Sequence, residues 1–318
     1  MIVIRFLTLA PRGLLRQWLL WLLLLINGSC LALDEPERSS GWVQKQAVEG
    51  QRQAVVTASP WASRAAWAVL ERGGSALDAA VAAQWLLTLV EPQSSGLGGG
   101  AFLLYYDAKA QRLLSYDGRE TAPAAVDVAA LVQGSKSSDS WWSLVASGHS
   151  VGVPGVVAML AVAHAAHGRL PWPTLAAPAI ALAEHGVASG QRLPMLITQL
   201  GHPALARPGP TQAFFLPEGQ PQAAGQSLRN PLLAASLRQI AAAGAEGFYR
   251  GPLAAQMVAA VQAEGGSLSL ADLAAYQPRQ RPPLCLDWRE YRVCSMGPPS
   301  GGGVFRRPRR VCHGGCRV

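Results

Sequence analysis

Residues 73–83 read GGSALDAAVAA, and this stretch decides how the first part of the chain folds. Glycine is the usual residue after a helix C-terminus, so Gly73 and Gly74 are predicted to end one helix. Ser75 then begins a second helix, and Asp78 follows at the spacing of a capping box. Large apolar residues recur every four positions along this second helix, at Leu77, Val81, Trp85 and Leu89. We therefore expect the second helix to lie in the core.

The segments on either side predict a mixture of helices and strands. A β-type run over Gln53–Ser59 precedes a helix over Ala62–Arg72, and Pro92 stops the capped helix. A glycine-rich segment, residues 94–100, leads into two apolar runs joined by a short turn, Ala101–Tyr106 and Arg112–Tyr116. Two such runs predict a β-hairpin.

The remainder is predicted to be mainly helical. Residues 131–150 are interpreted as a loop, and the proline- and glycine-rich residues 203–225 as an extended surface segment. Further helices are predicted at four places: up to His164 with a break at Gly168, Leu175–His185, Pro231–Ala243 and Pro252–Ala263. Ser269 and Asp272 repeat the capping-box spacing, and Tyr291–Cys294 is typical of a strand.

The composition excludes some classes of protein. Half of the 318 residues are hydrophobic and 14% are charged, which predicts a well-buried core without long disorder. The net charge of +8 suggests a nucleic-acid or membrane-surface protein, but it resides in the chain ends. Three arginines in the first 17 residues and five in the last 15 account for all of it. The body is neutral, and we expect no nucleic-acid partner.

The two chain ends differ from the body, which we delimit as residues 33–303. Residues 1–32 combine a basic stretch with the short apolar run Trp18–Ile26, which predicts a signal peptide cleaved after Ala32 and a periplasmic or secreted protein. An uncleaved membrane anchor is the alternative. Residues 304–318 form an aberrant arginine-rich tail without acidic residues, which we interpret as a change of reading frame near Gly303; a genuine basic tail is the alternative.

The cysteines do not predict a disulfide framework or a metal site. Cys285 and Cys294 are nine residues apart, and a bridge between them requires suitable geometry. Cys312, His313 and Cys316 are crowded into five residues and do not show the spacing of a tetrahedral site. We expect neither a metal nor another cofactor.

One residue is a candidate for ligand binding on its own chemistry. Arg119 lies just past a predicted strand in a body poor in charge, and a guanidinium offers a planar pair of donors to a carboxylate. The alternative is a local salt bridge with Asp117 or Glu120. The glycines at 96–100 predict close backbone approach and not nucleotide binding, because neither phosphate-binding pattern is present. His164 and His167 have no matched carboxylate or cysteine nearby, so no catalytic triad is predicted.

Several motifs agree, in order, with one known family. They are Gly73–Ala83, Ser95–Phe102 with Ala101 in place of a glycine, Asp117–Pro123, Val151–Gly155, Gly247–Gly251 and Gly297–Gly302. Together they resemble the signatures of the gamma-glutamyltransferase family, also called gamma-glutamyltranspeptidases or glutathione hydrolases. The resemblance extends from about Val55 to Gly303.

The resemblance implies a fold and a reaction. The implied fold is α+β, of the N-terminal nucleophile hydrolase type, with two β-sheets between helical layers (αββα). In that family a precursor cleaves itself, and a threonine at the new N-terminus of a small subunit becomes the nucleophile. It takes the gamma-glutamyl group from a donor such as glutathione and passes it to water or to an amino-acid or peptide acceptor, without a cofactor. Arg119 matches the arginine that binds the α-carboxylate of the donor.

The sequence also departs from the family. A Thr-Thr-His processing site does not occur in these 318 residues. The resemblance therefore predicts a large-subunit-like region, C-terminally truncated, with an incomplete fold, no transferase activity by itself and a tendency to aggregate. The alternative is a catalytically dead periplasmic binding protein for gamma-glutamyl or other carboxylate ligands.

Overall fold

The computed structural model describes residues 46–134 and 138–302, so the predictions for residues 1–32 and 304–318 lie outside the described residues. Within these residues the α-helices, numbered in chain order, are α1 (Pro60–Glu71), α2 (Ala76–Val90), α3 (Val128–Gly134), α4 (Ser138–Val145), α5 (Val156–His167), α6 (Trp172–His185), α7 (Arg192–Leu200), α8 (Pro210–Phe215), α9 (Pro231–Ala243), α10 (Glu246–Tyr249), α11 (Gly251–Ala263) and α12 (Leu270–Ala275). The strands are β1 (Ala101–Asp107), β2 (Arg112–Gly118), β3 (Val187–Ala188), β4 (Ser227–Leu228), β5 (Arg279–Arg281), β6 (Leu284–Trp288) and β7 (Tyr291–Ser295).

The strands form three small antiparallel sheets in the described part of the chain. The predicted hairpin is confirmed, because β1 pairs with β2 from Ala101 opposite Gly118 to Asp107 opposite Arg112. β5 adds to the other edge of β2, with Arg279 opposite Asp117. β3 pairs with β4, and β6 with β7.

The geometry that a bridge between the two central cysteines requires is present. Cys285 in β6 lies directly opposite Cys294 in β7, with 4.1 Å between the Cα atoms, and a disulfide joins them. It closes a hairpin that packs less deeply than the rest of the fold: Trp288 and Tyr291, at its tip, are half-exposed.

The core is built around α2, as the sequence predicts. Its capping box is formed: Asp78 donates its backbone N–H to Ser75 Oγ at 3.1 Å, and Ser75 returns its own N–H to the Asp78 carboxylate at 2.8 Å. The fully buried carboxylate also accepts the backbone N–H groups of Arg169 and Leu170. Trp85 is fully buried and packs edge-on against Trp172 at the start of α6. A single polar side chain thus joins α2 to the turn that precedes α6.

The prediction of a loop over residues 131–150 is wrong. Helices α3 and α4 occupy most of this segment, and a 3-10 turn, Gly148–Ser150, completes it. The polar residues that suggested a loop lie mostly between and after the helices. Apolar residues at helical spacing, such as Trp141 with Leu144, give α4 an apolar face.

Two predictions of extended chain also need correction. Residues 53–59 do not pair with any strand of the described residues; Thr57 Oγ1 instead bonds locally to the carbonyl of Ser59, just before α1. Residues 203–225 are not simply extended, because they contain α8 and two 3-10 turns, each with a proline in its first positions. Proline lacks the N–H that a first helical turn leaves unused, so it favours such starts.

Helices combined with antiparallel sheets confirm the predicted α+β class. No helix of residues 46–134 and 138–302 is both long and apolar enough to span a membrane.

Candidate functional site

The structure places Arg119 immediately after β2, at the edge of the three-stranded sheet. Its backbone is fixed from two sides: the N–H donates to Asp117 Oδ1 at 2.9 Å, and the carbonyl accepts from the hydroxyl of Tyr276 at 2.8 Å. The side chain is 61% exposed. A rigid backbone therefore presents a guanidinium that solvent and ligands can reach.

The two carboxylates beside Arg119 have different partners. Asp117 is buried, and its Oδ2 lies 2.5 Å from Nε of Arg281 on β5. Glu120 Oε2 lies 3.2 Å from Nε of Arg119, so the local salt bridge left open by the sequence forms with Glu120. This salt bridge uses only Nε of the Arg119 guanidinium. Within residues 46–134 and 138–302, no hydrogen bond or ion pair engages the two terminal amino groups, and these can bind a carboxylate in a bidentate manner.

Glycines allow the three segments around Arg119 to come together. A Cβ on Gly155 would lie 2.1 Å from the carbonyl oxygen of Gly118 and 2.2 Å from the hydroxyl of Tyr276. A Cβ on Gly100 would lie 2.7 Å from the carboxylate of Glu120. The close backbone approach predicted for the glycine-rich segment is thus present at Gly100, whereas a Cβ on Gly98 would meet no atom of the described residues within 4 Å.

The same segment is not a phosphate-binding loop. The carbonyl of Gly99 accepts the backbone N–H groups of Gly155 and Val156 at 3.0 and 3.1 Å. These are the first amides of α5, the groups that bind an anion at an open helix N-terminus. A protein carbonyl already satisfies them.

Two tyrosines support this arrangement from behind. The rings of Tyr276 and Tyr249 stack at 5.9 Å with 3° between their planes, and the Tyr249 hydroxyl donates to the carbonyl of Pro154 at 2.8 Å. Partial burial, followed by the nearby carboxylates of Asp117 and Glu120, raises the pKa of Tyr276 to about 12. The Tyr276 hydroxyl is therefore a permanent donor at neutral pH. Sequence reasoning missed Tyr276, because it lies 157 residues from Arg119.

A cleft of about 810 Å³ opens beside Arg119. Its polar side includes Arg119, Glu120 and His149. Its apolar lining comes largely from α3 and α4 and includes Leu131, Trp141 and Leu144. These residues fall within the segment interpreted from the sequence as a loop. The helical spacing of its apolar residues was the signal that could have identified them.

His164 and His167, for which no triad is predicted, make structural contacts, and the structure corrects the expectation that no carboxylate lies near His164. His164 Nε2 lies 3.0 Å from the carbonyl of Leu170 and 3.3 Å from Asp78 Oδ1. His167 bonds to the hydroxyl of Tyr116 at 2.7 Å and stacks on Tyr105. In the described part of the chain, no cluster of three or more His, Cys, Asp or Glu side chains is placed to hold a metal ion.

Comparison with known proteins identifies the family. The sequence pattern of the family "Gamma-glutamyltranspeptidase" matches residues 62–307. The chain belongs to this family. It is 39% identical to glutathione hydrolase 2 of Arabidopsis thaliana over 237 residues, and 34% identical to the glutathione hydrolase proenzyme of Escherichia coli over 286 residues. These alignments cover 74% and 88% of this chain, but only 39% and 49% of the relatives. The chain thus spans less than half of the length of either relative.

A solved structure of the gamma-glutamyltranspeptidase family shares the fold. The enzyme of Helicobacter pylori superimposes with a TM-score of 0.72 at 30% identity, over 81% of this chain and 73% of that one. This similarity confirms the N-terminal nucleophile hydrolase type of fold predicted for the chain.

Proposed function

We propose that this chain carries the carboxylate-binding part of the donor site of an enzyme that transfers or hydrolyses gamma-glutamyl amides such as glutathione. Arg119 binds the α-carboxylate of the donor. The observation that supports this most directly is the exposed guanidinium on a backbone fixed by Asp117 and Tyr276. Membership of the gamma-glutamyltranspeptidase family supplies the ligand.

In this proposal the rest of the reaction belongs to a second segment. A threonine at the N-terminus of a small subunit attacks the γ-carbonyl, and its free α-amine is the base that activates the hydroxyl. Water, an amino acid or a peptide then accepts the gamma-glutamyl group, without a cofactor. Residues 33–303 form the large-subunit region, and residues 1–32 direct export to the periplasm or the medium. The 318-residue chain alone is expected to bind donors without hydrolysing them.

Calorimetric titration of the chain with glutathione tests the proposal. Arg119→Lys keeps the charge but loses the planar pair of donors, so we expect about tenfold weaker binding. Arg250→Lys is the matched control, because Arg250 is equally exposed and pairs with Glu246 away from the cleft. The analogue 4-aminobutanoyl-cysteinylglycine lacks the α-carboxylate and should bind wild type and Arg119→Lys equally weakly. Equal glutathione affinity of the two arginine variants would contradict the assignment of Arg119.

A further inference from the structure

Part of the lining of the cleft beside Arg119 is apolar. We define the apolar wall as Val126, Leu131, Val132, Trp141 and Leu144, which line the same cleft as Arg119 and Glu120. Trp141 and Val132 are 49% and 59% exposed, which is unusual for large apolar side chains grouped together. The wall is therefore accessible to a ligand.

The arrangement divides the cleft by chemistry. Its charged end offers the guanidinium of Arg119 with the terminal donors not engaged by the described residues. A ligand whose carboxylate is bound there must place its remaining atoms within the cleft. A polar group of the ligand placed against the apolar side chains would lose its hydrating water without gaining hydrogen bonds. An apolar group there would bury apolar surface of both the ligand and the protein.

We propose that the apolar wall is the subsite for the amide-linked portion of the gamma-glutamyl donor and that it selects donors with apolar amide substituents. The selected class is gamma-glutamyl amides of large aliphatic or aromatic amino acids. This inference rests on the proposed function, because Arg119 must first hold the carboxylate of the donor.

The neighbouring tryptophan supplies a matched control. Trp142 follows Trp141 on α4 and is similarly exposed, at 42%. It lines a different cavity of about 350 Å³, together with Leu200, His202 and Arg207. Replacement of either indole by alanine removes the same side chain from the same helix, but only Trp141 belongs to the cleft beside Arg119.

The test compares gamma-glutamylleucine with gamma-glutamylglycine, titrated calorimetrically into the 318-residue chain. Partial burial of the leucine side chain should make gamma-glutamylleucine bind about fivefold more tightly. Trp141→Ala should reduce this preference to less than about twofold, and Trp142→Ala should leave it unchanged. Arg119→Lys should weaken both ligands by the same factor and retain the preference. Circular dichroism melting checks that each variant is folded.

The outcomes separate this inference from the proposed function. Equal affinity for the two ligands, with dependence on Arg119 retained, overturns the apolar subsite alone. A preference lost equally in both tryptophan variants also overturns it, because the effect then comes from α4 as a whole. Binding that is indifferent to Arg119, or no binding of either ligand by wild type, overturns the proposed function and the subsite with it.

Discussion

At the scale of single residues, the site depends on atoms brought together from distant parts of the sequence. The carbonyl of Arg119 meets the hydroxyl of Tyr276 only because Gly155 leaves room for that hydroxyl between α5 and β2. The same hydroxyl lies near the carboxylates of Asp117 and Glu120. A small change at any of these positions should therefore alter the direction in which the Arg119 side chain leaves the backbone.

Tyr276→Phe removes one hydroxyl and keeps the ring that stacks on Tyr249. We expect a loss of about 1 kcal/mol of unfolding free energy, the usual value of one hydrogen bond, and glutathione binding weaker by about threefold to tenfold. Urea denaturation and calorimetry measure the two effects. Tyr291→Phe is the control, since Tyr291 is largely exposed at the tip of the β6–β7 hairpin. A Tyr276→Phe protein with unchanged affinity would show that Tyr276 does not position Arg119.

The raised pKa of Tyr276 adds a test by pH. The pKa of a free tyrosine is about 10, whereas that of folded Tyr276 is about 12. A raised pKa means that the stabilising contribution is complete below about pH 10 and is lost as the pH rises towards 12. The difference in melting temperature between wild type and Tyr276→Phe should therefore be constant from pH 7 to 9 and become smaller above pH 10. A difference that grows above pH 10 would contradict this assignment.

Gly155→Ala tests the close approach itself. The backbone of Gly155 has φ of −126°, which alanine also adopts, so any cost comes from the methyl group. That group would lie 2.1 Å from the Gly118 carbonyl oxygen, and we expect a loss of stability of about 1–3 kcal/mol. Gly190→Ala is the control, because a Cβ there meets no atom within 4 Å of the described structure. Equal melting temperatures of the two variants would show that α5 and β2 separate without cost.

At the scale of elements, the sequence predicted best where a local signal begins a helix. Ser75 with Asp78 begins α2, Ser269 with Asp272 begins α12, and the described structure has both capping boxes. The prediction failed over residues 131–150, because the polar residues between and after α3 and α4 suggested a loop and each helix is only about two turns long. It also failed at residues 53–59, because an extended run of apolar residues does not reveal whether a partner strand lies beside it.

The β6–β7 hairpin should depend on its disulfide. A two-stranded hairpin is marginally stable in water, and the tip of this one packs little against the core. Reduction of Cys285–Cys294 is expected to accelerate tryptic cleavage at Arg289 and Arg292 several-fold, while the core melting temperature stays the same. Lys109 is the internal control, since it lies in the turn of the β1–β2 hairpin, which β5 extends to three strands. Mass spectrometry of the first fragments distinguishes the sites. Unchanged cleavage after reduction would contradict the prediction.

At the scale of the whole molecule, the sequence alone identifies the family and one residue of the site, but not the other residues that form the site. Arg119 is identifiable because it follows a predicted strand in a body poor in charge and matches a family motif. Tyr276 and Arg281 have no local signal, because their roles follow from the packing of β5 and of the turn after α12 against the end of β2. Tertiary contacts at separations above 150 residues decide these roles, and a one-dimensional pattern does not contain them.

The three-stranded sheet has one covered face, and its other face is open along β1, which should govern how the chain behaves in solution. Leu103, Tyr105 and Tyr116 pack against the core, whereas Leu104 and Tyr106 point the other way and are 39% and 55% exposed. Among the described residues β1 is also an edge strand, and its backbone can pair with another strand. We therefore expect the 318-residue chain to bind the dye ANS and to self-associate.

Leu104→Thr with Tyr106→Thr should reduce dye binding and self-association without lowering the melting temperature, because threonine suits a strand and neither side chain is in the core. Light scattering against protein concentration measures association, and ANS fluorescence measures the exposed apolar surface. Leu284→Thr is the control, since Leu284 is a strand leucine of similar exposure, at 41%, but on β6. If the control variant reduces association as much as the double variant does, the chains associate through the β6–β7 hairpin and not through the open face of β1. If wild type remains monomeric and melts cooperatively at high concentration, the described fold is stable without a cover on that face, and the expectation of aggregation is wrong.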